Sequence, residues 1–318
     1  MHSVVTVSDR VPVRVTRAGT PSLSGPAAPR RTKRRWQPAV LFMVPSFAIL
    51  GTFVLYPIVQ SFIYSFQDVT IGGDSPWIGL QNYITLLKDR QFWNALGITL
   101  IFTAASVVVL IVVGFVLAVL LQGESLANRI ARSVFFFPTI VSLVTIGLVW
   151  KFLLDPSIGL VGGVFDLLGL PPVAWLTSTS LALPTVIFVN IWKNLGFAMI
   201  LLLAGLKGVP QERYEAAQLD GAKRLQLIRY VTVPGIRPTM LFATLILTIQ
   251  SLQVFDLVFV MTGGGPIFTT DTLVNLLYRD AFVNYQTGYA SAISFVLFLI
   301  IVIVSALQLR FFRYNDVD

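Results

Sequence analysis

Cysteine is absent, and histidine occurs once, as His2. The first absence excludes disulfides, thiolate nucleophiles, Cys-ligated zinc and cysteine-held iron–sulfur clusters. The second leaves no histidine triad, histidine metal site or haem ligand. Charge is scarce as well. Charged residues make up 12% of the chain, against about 25% in an ordinary globular domain. No glycine is followed by lysine, so the P-loop pattern G-x-x-x-x-G-K-[ST] is missing. These absences remove most familiar enzyme chemistries and leave the chain without a P-loop of its own.

What fills the 318 residues is apolar: hydrophobic residues are 55% of the total and the mean hydropathy is +0.79. A spanning helix needs about 20 mainly apolar residues. Six segments qualify: Ala39 to Phe66, Gly97 to Leu121, Ser133 to Trp150, Leu181 to Leu206, Pro238 to Met261 and Tyr289 to Leu309. Pro45 and Pro57 fall within the first, and Pro138 is expected to kink the third. A weaker stretch, Leu160 to Trp175, is interrupted by glycine and proline and reads as an interfacial or re-entrant piece. Trp77 with Trp93, and Trp150 with Trp175, fit an aromatic belt.

Most of the 23 Lys and Arg cluster before the first span, between spans two and three, between four and five, and after six. By the positive-inside rule both termini are cytoplasmic. The formal charge of +8 is then an orientation signal and calls for no nucleic-acid partner. Residues 1–37 read as a disordered basic cytoplasmic tail whose Arg30–Arg35 run can touch anionic lipid. Residues 38–312 form the membrane domain, and 313–318 a short cytoplasmic tail. The expected fold is an all-α integral membrane protein, a bundle of six transmembrane helices.

One cytoplasmic loop, residues 207–237, is too long and too patterned to be a plain connector. Pro210 suits a helix start, and Gln211 to Asp220 holds good helix formers. Gly221 offers a break. Ala222 to Val233 reads as a second short helix stopped by Pro234, with Leu225 and Ile228 sharing one face and Lys223, Arg224 and Arg229 outward.

The run Glu215-Ala216-Ala217-Gln218-Leu219-Asp220-Gly221-Ala222, followed by Val231-Thr232-Val233-Pro234, resembles the EAA loop of ABC importer permeases. Leu203 to Pro210 and Met261-Thr262-Gly263-Gly264-Gly265-Pro266, with Tyr278 and Phe282 beyond, resemble the carbohydrate-uptake group of that family. The resemblance covers about residues 39 to 312. It implies that the loop between spans four and five is a coupling helix docked in a groove of a separate ATPase. Glu215, Ala216, Ala217, Asp220 and Gly221 would form the contact, with Pro234 closing the element. It also implies a second permease subunit in a heterodimer, two ATP-binding subunits and an extracytoplasmic solute-binding protein. ATP and magnesium would sit on the partner ATPase, and this chain would carry no cofactor. The location implied is the cytoplasmic membrane of a bacterium or archaeon. The implied substrate is a sugar, a polyol or a glycerol phosphate.

Polar residues within spans are candidate path residues. Lys193 stands near the middle of span four between Asn190 and Asn194, and a charge there costs about 2.5–3.5 kcal/mol on insertion scales. It either binds substrate or pairs with a neighbouring helix. Gln250, Gln253 and Asp256 align at i,i+3 steps on span five and either meet sugar hydroxyls or tie helices together. The resemblance puts Gly263, Gly264, Gly265 and Pro266 near an outer gate and the solute-binding protein. A secondary active transporter is the alternative. It needs midplane carboxylates, and the spans offer only Asp256, near an edge. An intramembrane enzyme needs a His, a Cys or a paired acidic site, and none is present.

Overall fold

The computed structural model describes residues 36–69 and 74–314. The basic tail over residues 1–35 lies outside them. The described residues are mostly helix joined by turns and irregular loops, with one isolated antiparallel bridge, Gln67 to Trp77. The chain divides into two units at Phe53. The first contains α1 (Trp36–Leu50), with Pro45 inside it. A π-helical turn, Gly51–Leu55, leads to α2 (Tyr56–Tyr64). That wide turn precedes Pro57, whose ring would crowd a regular α-turn.

The second unit continues with α3 (Gln81–Lys88), α4 (Arg90–Leu120), α5 (Leu126–Ile140), α6 (Leu143–Leu153), α7 (Leu160–Leu167) and α8 (Ala182–Lys207). Then come α9 (Gln211–Leu219), α10 (Arg224–Leu227), a π-turn at Ile228–Thr232, α11 (Val233–Gly235), α12 (Arg237–Leu252), α13 (Asp256–Met261), α14 (Leu273–Phe282) and α15 (Thr287–Tyr314). Four helices are long and apolar enough to cross a membrane, or up to six if each bent pair counts as one span.

Helix α4 is the central strut. It is capped by Asp89, whose Oδ1 accepts from the Gln91 amide at 2.8 Å. Its buried side chains Phe92, Phe102, Leu110 and Ala118 each belong to a different apolar cluster. Towards one end Phe92 packs with Leu276 and Ile293, joining α14 and α15. Towards the other, Ala118 packs with Met199, Leu202 and Ala243, joining α8 and α12. Helix α5 crosses α8 closely: a Cβ on Gly196 would strike the backbone of Phe135 and Phe136. Thr139 Oγ1 donates to the Lys193 carbonyl at 3.1 Å across the same crossing.

Three expectations require correction. The sharp bend of the third span falls beyond Pro138, which sits inside α5. The chain turns by 98° after two extended residues, Val141 and Ser142. Two consecutive extended residues redirect a chain more sharply than a proline kink. The fifth span is not one helix. It breaks over Gln253 to Phe255, and α13 starts afresh at Asp256. The break is tolerable because Thr272 Oγ1 donates to the freed Val254 carbonyl at 3.1 Å. Finally, Pro234 does not end its helix. In the π-turn ahead of it the Val233 amide donates to the Ile228 carbonyl, and this wider ring makes room for the proline. The Trp pairs also divide: Trp77 and Trp93 are exposed, whereas Trp150 and Trp175 pack against the cluster around Phe102.

Candidate functional site: a central cavity between two charged ends

Three places in the fold concentrate polar chemistry. The first is a cavity of about 390 Å³ between α4, α5, α8, α12 and the start of α13. All six candidate path residues line it: Asn190, Lys193, Asn194, Gln250, Gln253 and Asp256. They reach it from different starting points. Lys193 lies about 21 Å of helix from Lys207, and Gln250 about 20 Å from Arg237, at about 1.5 Å per residue. The two therefore stand at similar height on neighbouring helices. Gln253 and Asp256 arrive through the break between α12 and α13.

The asparagines are held. Asn190 is buried and its Nδ2 donates to Ser106 Oγ on α4 at 3.1 Å. Asn194 Nδ2 donates to both the carbonyl and the Oδ1 of Asn190 at 3.0 Å. Lys193 is half-buried, and among the described residues its ammonium forms no ion pair. Gln250, Gln253 and Asp256 face the open cavity with exposed side chains. Among the described residues no ion pair or hydrogen bond from the Lys193 ammonium ties it to a neighbouring helix. The side chains of Gln250 and Gln253 likewise make no hydrogen bond to another helix among the described residues.

The second place is the hairpin Gln211–Gly235. Pro210 stands at the start of α9, and Gly221 turns the chain at φ +80. The Ala222 amide donates to the Ala217 carbonyl at 2.9 Å, closing the helix end. The Lys223 amide donates to Gln226 Oε1 at 2.7 Å and starts the second helix. Tyr214 hydroxyl meets Thr232 Oγ1 at 3.2 Å and ties the two arms together. Glu215, Ala216, Asp220 and Gly221 are exposed, and Ala217 and Pro234 half-buried.

Leu225 and Ile228, placed on one face by their spacing, differ in cover: Ile228 is half-buried and Leu225 is not. It is 76% exposed, as Leu219 is 89% and Tyr230 68%. Periodicity assigns a face but cannot say what covers it. Two of these apolar residues were invisible as site candidates, although Leu219 sits within the motif. Near the same end, Lys207 Nζ pairs with Glu124 at 2.6 Å. That hydrogen bond and the lysine's charge hold the Glu124 carboxyl below its usual range.

The third place is the loop after α13. Gly263 and Gly264 take φ +61 and +90, and the Gly265–Pro266 bond is cis. Thr262 and Thr270 share a hydrogen bond of 2.8 Å, and Thr270 Oγ1 donates to the Gly265 carbonyl at 2.7 Å. Beneath lies a group that sequence reasoning missed. Asp271, only 2% exposed in its side chain, pairs with Arg279 at 2.9 Å and accepts from Asn275 Nδ2 at 2.6 Å. The Arg279 guanidinium also covers the Phe268 ring at 4.9 Å. Asn94 Nδ2 anchors the Phe268 carbonyl at 2.9 Å. The only sequence signal was the i,i+4 and i,i+8 spacing of Asp271, Asn275 and Arg279. Nearby, burial pushes the Asp280 carboxyl above its ordinary value, against the Asn284 hydrogen bond and the Arg279 charge.

Comparison with known proteins agrees with this architecture. A probable ABC transporter permease, YurN of Bacillus subtilis, is 34% identical over 86% of this chain and 95% of its own length. The trehalose/maltose transport system permease MalF of Thermococcus litoralis is 31% identical over 86% of this chain and 93% of its own. A chain from the crystal structure of a bacterial ABC transporter involved in alginate import superposes with a TM-score of 0.78. It shares 26% identity and covers 89% of this chain and 96% of that one. Residues 110–314 match the family described as binding-protein-dependent transport system inner membrane component. This chain belongs to that family: it is the inner-membrane permease of a binding-protein-dependent ABC transport system.

Proposed function

We propose that this permease forms half of the path by which a sugar or a related polyol enters the cell, driven by ATP hydrolysis on separate subunits. The observation that carries the reading is the hairpin Gln211–Gly235. It exposes Leu219, Leu225 and Tyr230 beside Glu215 and Asp220, and sits between α8 and α12. An apolar surface rimmed by charge marks a protein contact. Its position makes it a lever. α8 carries Lys193 and Asn194 into the cavity, and α12 carries Gln250. At the base the two helices are locked, because Gly205 leaves no room beside Thr239 and because Val209 and Ile236 pack in one cluster. A push on the hairpin travels along two stiff helices and changes the cavity walls.

In this reading two ATP-binding subunits, holding ATP and magnesium, receive the hairpins of this chain and of a second, similar permease. Glu215 pairs with a basic residue there, while Ala216 and Ala217 allow close approach and Gly221 sets the turn. An extracytoplasmic solute-binding protein delivers substrate at the opposite end, near Gly263 to Pro266. Both termini are cytoplasmic, and the basic tail can touch anionic lipid. The sugar class draws on the relatives, among them the multiple sugar-binding transport system permease MsmF of Streptococcus mutans. A secondary transporter is not favoured, since Asp256 is the sole carboxylate in the cavity.

The test is co-expression with candidate ATP-binding subunits and comparison with Glu215→Ala. An ATPase that co-purifies with the native chain, and that loses association or coupled hydrolysis in the variant, supports the reading. An unchanged complex with unchanged coupling sinks the hairpin assignment.

A further inference from the structure

The cavity carries two opposite charges and spends neither on the protein. Lys193 on α8 and Asp256 at the start of α13 both line it, and neither forms an ion pair among the described residues. The outer cavity of about 340 Å³ behaves differently. It is also lined by one lysine and one aspartate. There Lys151 Nζ donates to the Val260 carbonyl, and Asp155 Oδ1 accepts from the Ser157 and Ile158 amides. Those charges build structure. The charges of the central cavity are available to a guest.

We infer that Lys193 and Asp256 make this half of the path selective for uncharged saccharides over anionic ones. The inference rests on the sugar-importer reading above. The argument concerns balance. An anionic sugar loses hydration on entering a half-enclosed site, and that loss must be offset by net positive potential. Lys193 supplies such potential, and Asp256 cancels it. A neutral sugar carries no such penalty, and each hydroxyl both donates and accepts. It can donate to Asp256, accept from Lys193, and exchange bonds with the amides of Asn194, Gln250 and Gln253. Charge preference cannot be assumed from the fold, because the transporter with TM-score 0.78 is involved in importing an acidic polysaccharide. It must be set by side chains such as these.

The experiment uses the assembled importer, with its partner permease and ATPase subunits, in lipid nanodiscs. Isothermal titration compares maltotriose with trigalacturonate as neutral and anionic probes. The native complex is expected to bind maltotriose at least tenfold more tightly. Asp256→Asn, which keeps the side-chain shape, is expected to shift the preference towards trigalacturonate by about tenfold, the effect of one unit charge roughly 10 Å away at intermediate dielectric. Lys193→Gln is expected to shift it the other way. Three results overturn the inference: equal or tighter native binding of trigalacturonate, substitutions that change both probes alike, or binding of neither probe. ATPase stimulation by the solute-binding protein, measured on the same samples, separates this failure from failure of the importer reading. A coupled ATPase without charge discrimination removes only the selectivity claim.

Discussion

The hairpin Gln211–Gly235 and the loop after α13 both turn on glycine, yet they are stabilised in opposite ways. Around Gly221 there is open space, and Leu219, Leu225 and Tyr230 point away from the chain. Around Gly264 a Cβ would come within 2.7 Å of Asn275 Nδ2 and 2.9 Å of Asp271 Oδ1. Behind that glycine stands a buried ion pair, and in front of it Thr262, Thr270 and Asn94 secure the backbone. The loop after α13 satisfies its own polar groups. The hairpin satisfies its backbone but leaves its apolar face uncovered. A surface finished internally holds its shape alone, whereas one left unfinished needs a partner.

That contrast can be broken most forcefully at Arg279. Arg279→Leu strands the buried Asp271 carboxylate and should lower stability by about 3–5 kcal/mol, read as a fall in Tm of the purified permease. A Tm unchanged by this substitution would remove the ion pair as the loop's foundation. The two glycines give a sharper, paired test. Gly264→Ala meets both a left-handed backbone and a filled space, and should cost about 2–3 kcal/mol. Gly221→Ala meets only the backbone penalty, about 1–2 kcal/mol. Equal losses in Tm would show that crowding at Gly264 is relieved by side-chain movement.

Smaller effects on stability are expected on the hairpin face. Leu225→Ser and Tyr230→Ala should change the Tm of the permease by no more than about 0.5 kcal/mol equivalent. Each should nevertheless weaken retention of the ATP-binding subunit in pull-down. A large Tm loss with intact retention would make these residues part of the fold. The smallest effect belongs to Glu124 and Lys207, an exposed pair. The carboxyl is held below its usual range, so its contribution is present above the unfolded value and lost as pH falls through the lower, folded one. Glu124→Gln should lower Tm slightly at neutral pH, the difference fading both below that window and in high salt. A difference that persists in acid would assign the effect to something other than charge.

Much of this was legible in the chain. The long apolar runs gave α4, α8 and α15 because a run of that length has one stable form in lipid. The motif around Glu215 to Ala222 marked the hairpin, and Gly221 and Pro210 marked its turn and start. Less legible were the places where one side chain compensates another. The break at Gln253 to Phe255 lies in an apolar run whose composition says helix. It is made possible by Thr272, distant in sequence. Proline removes a hydrogen bond from a regular turn, so by sequence Pro234 reads as a stop. The π-turn before it changes that rule locally. Periodicity puts Leu225 and Ile228 on one stripe but does not say what covers it.

The sequence by itself determined the lipid solvent and the family of this protein, since these follow from hydropathy and from a local motif. Only the tertiary structure decided that Lys193, Gln250 and Asp256 share one cavity, and that Asp271 and Arg279 hold the loop containing Gly264. Such meetings depend on helix crossings and breaks, where residues far apart in the chain stand at similar heights. No local pattern of residue types encodes that height; the packing of α4, α8 and α12 does.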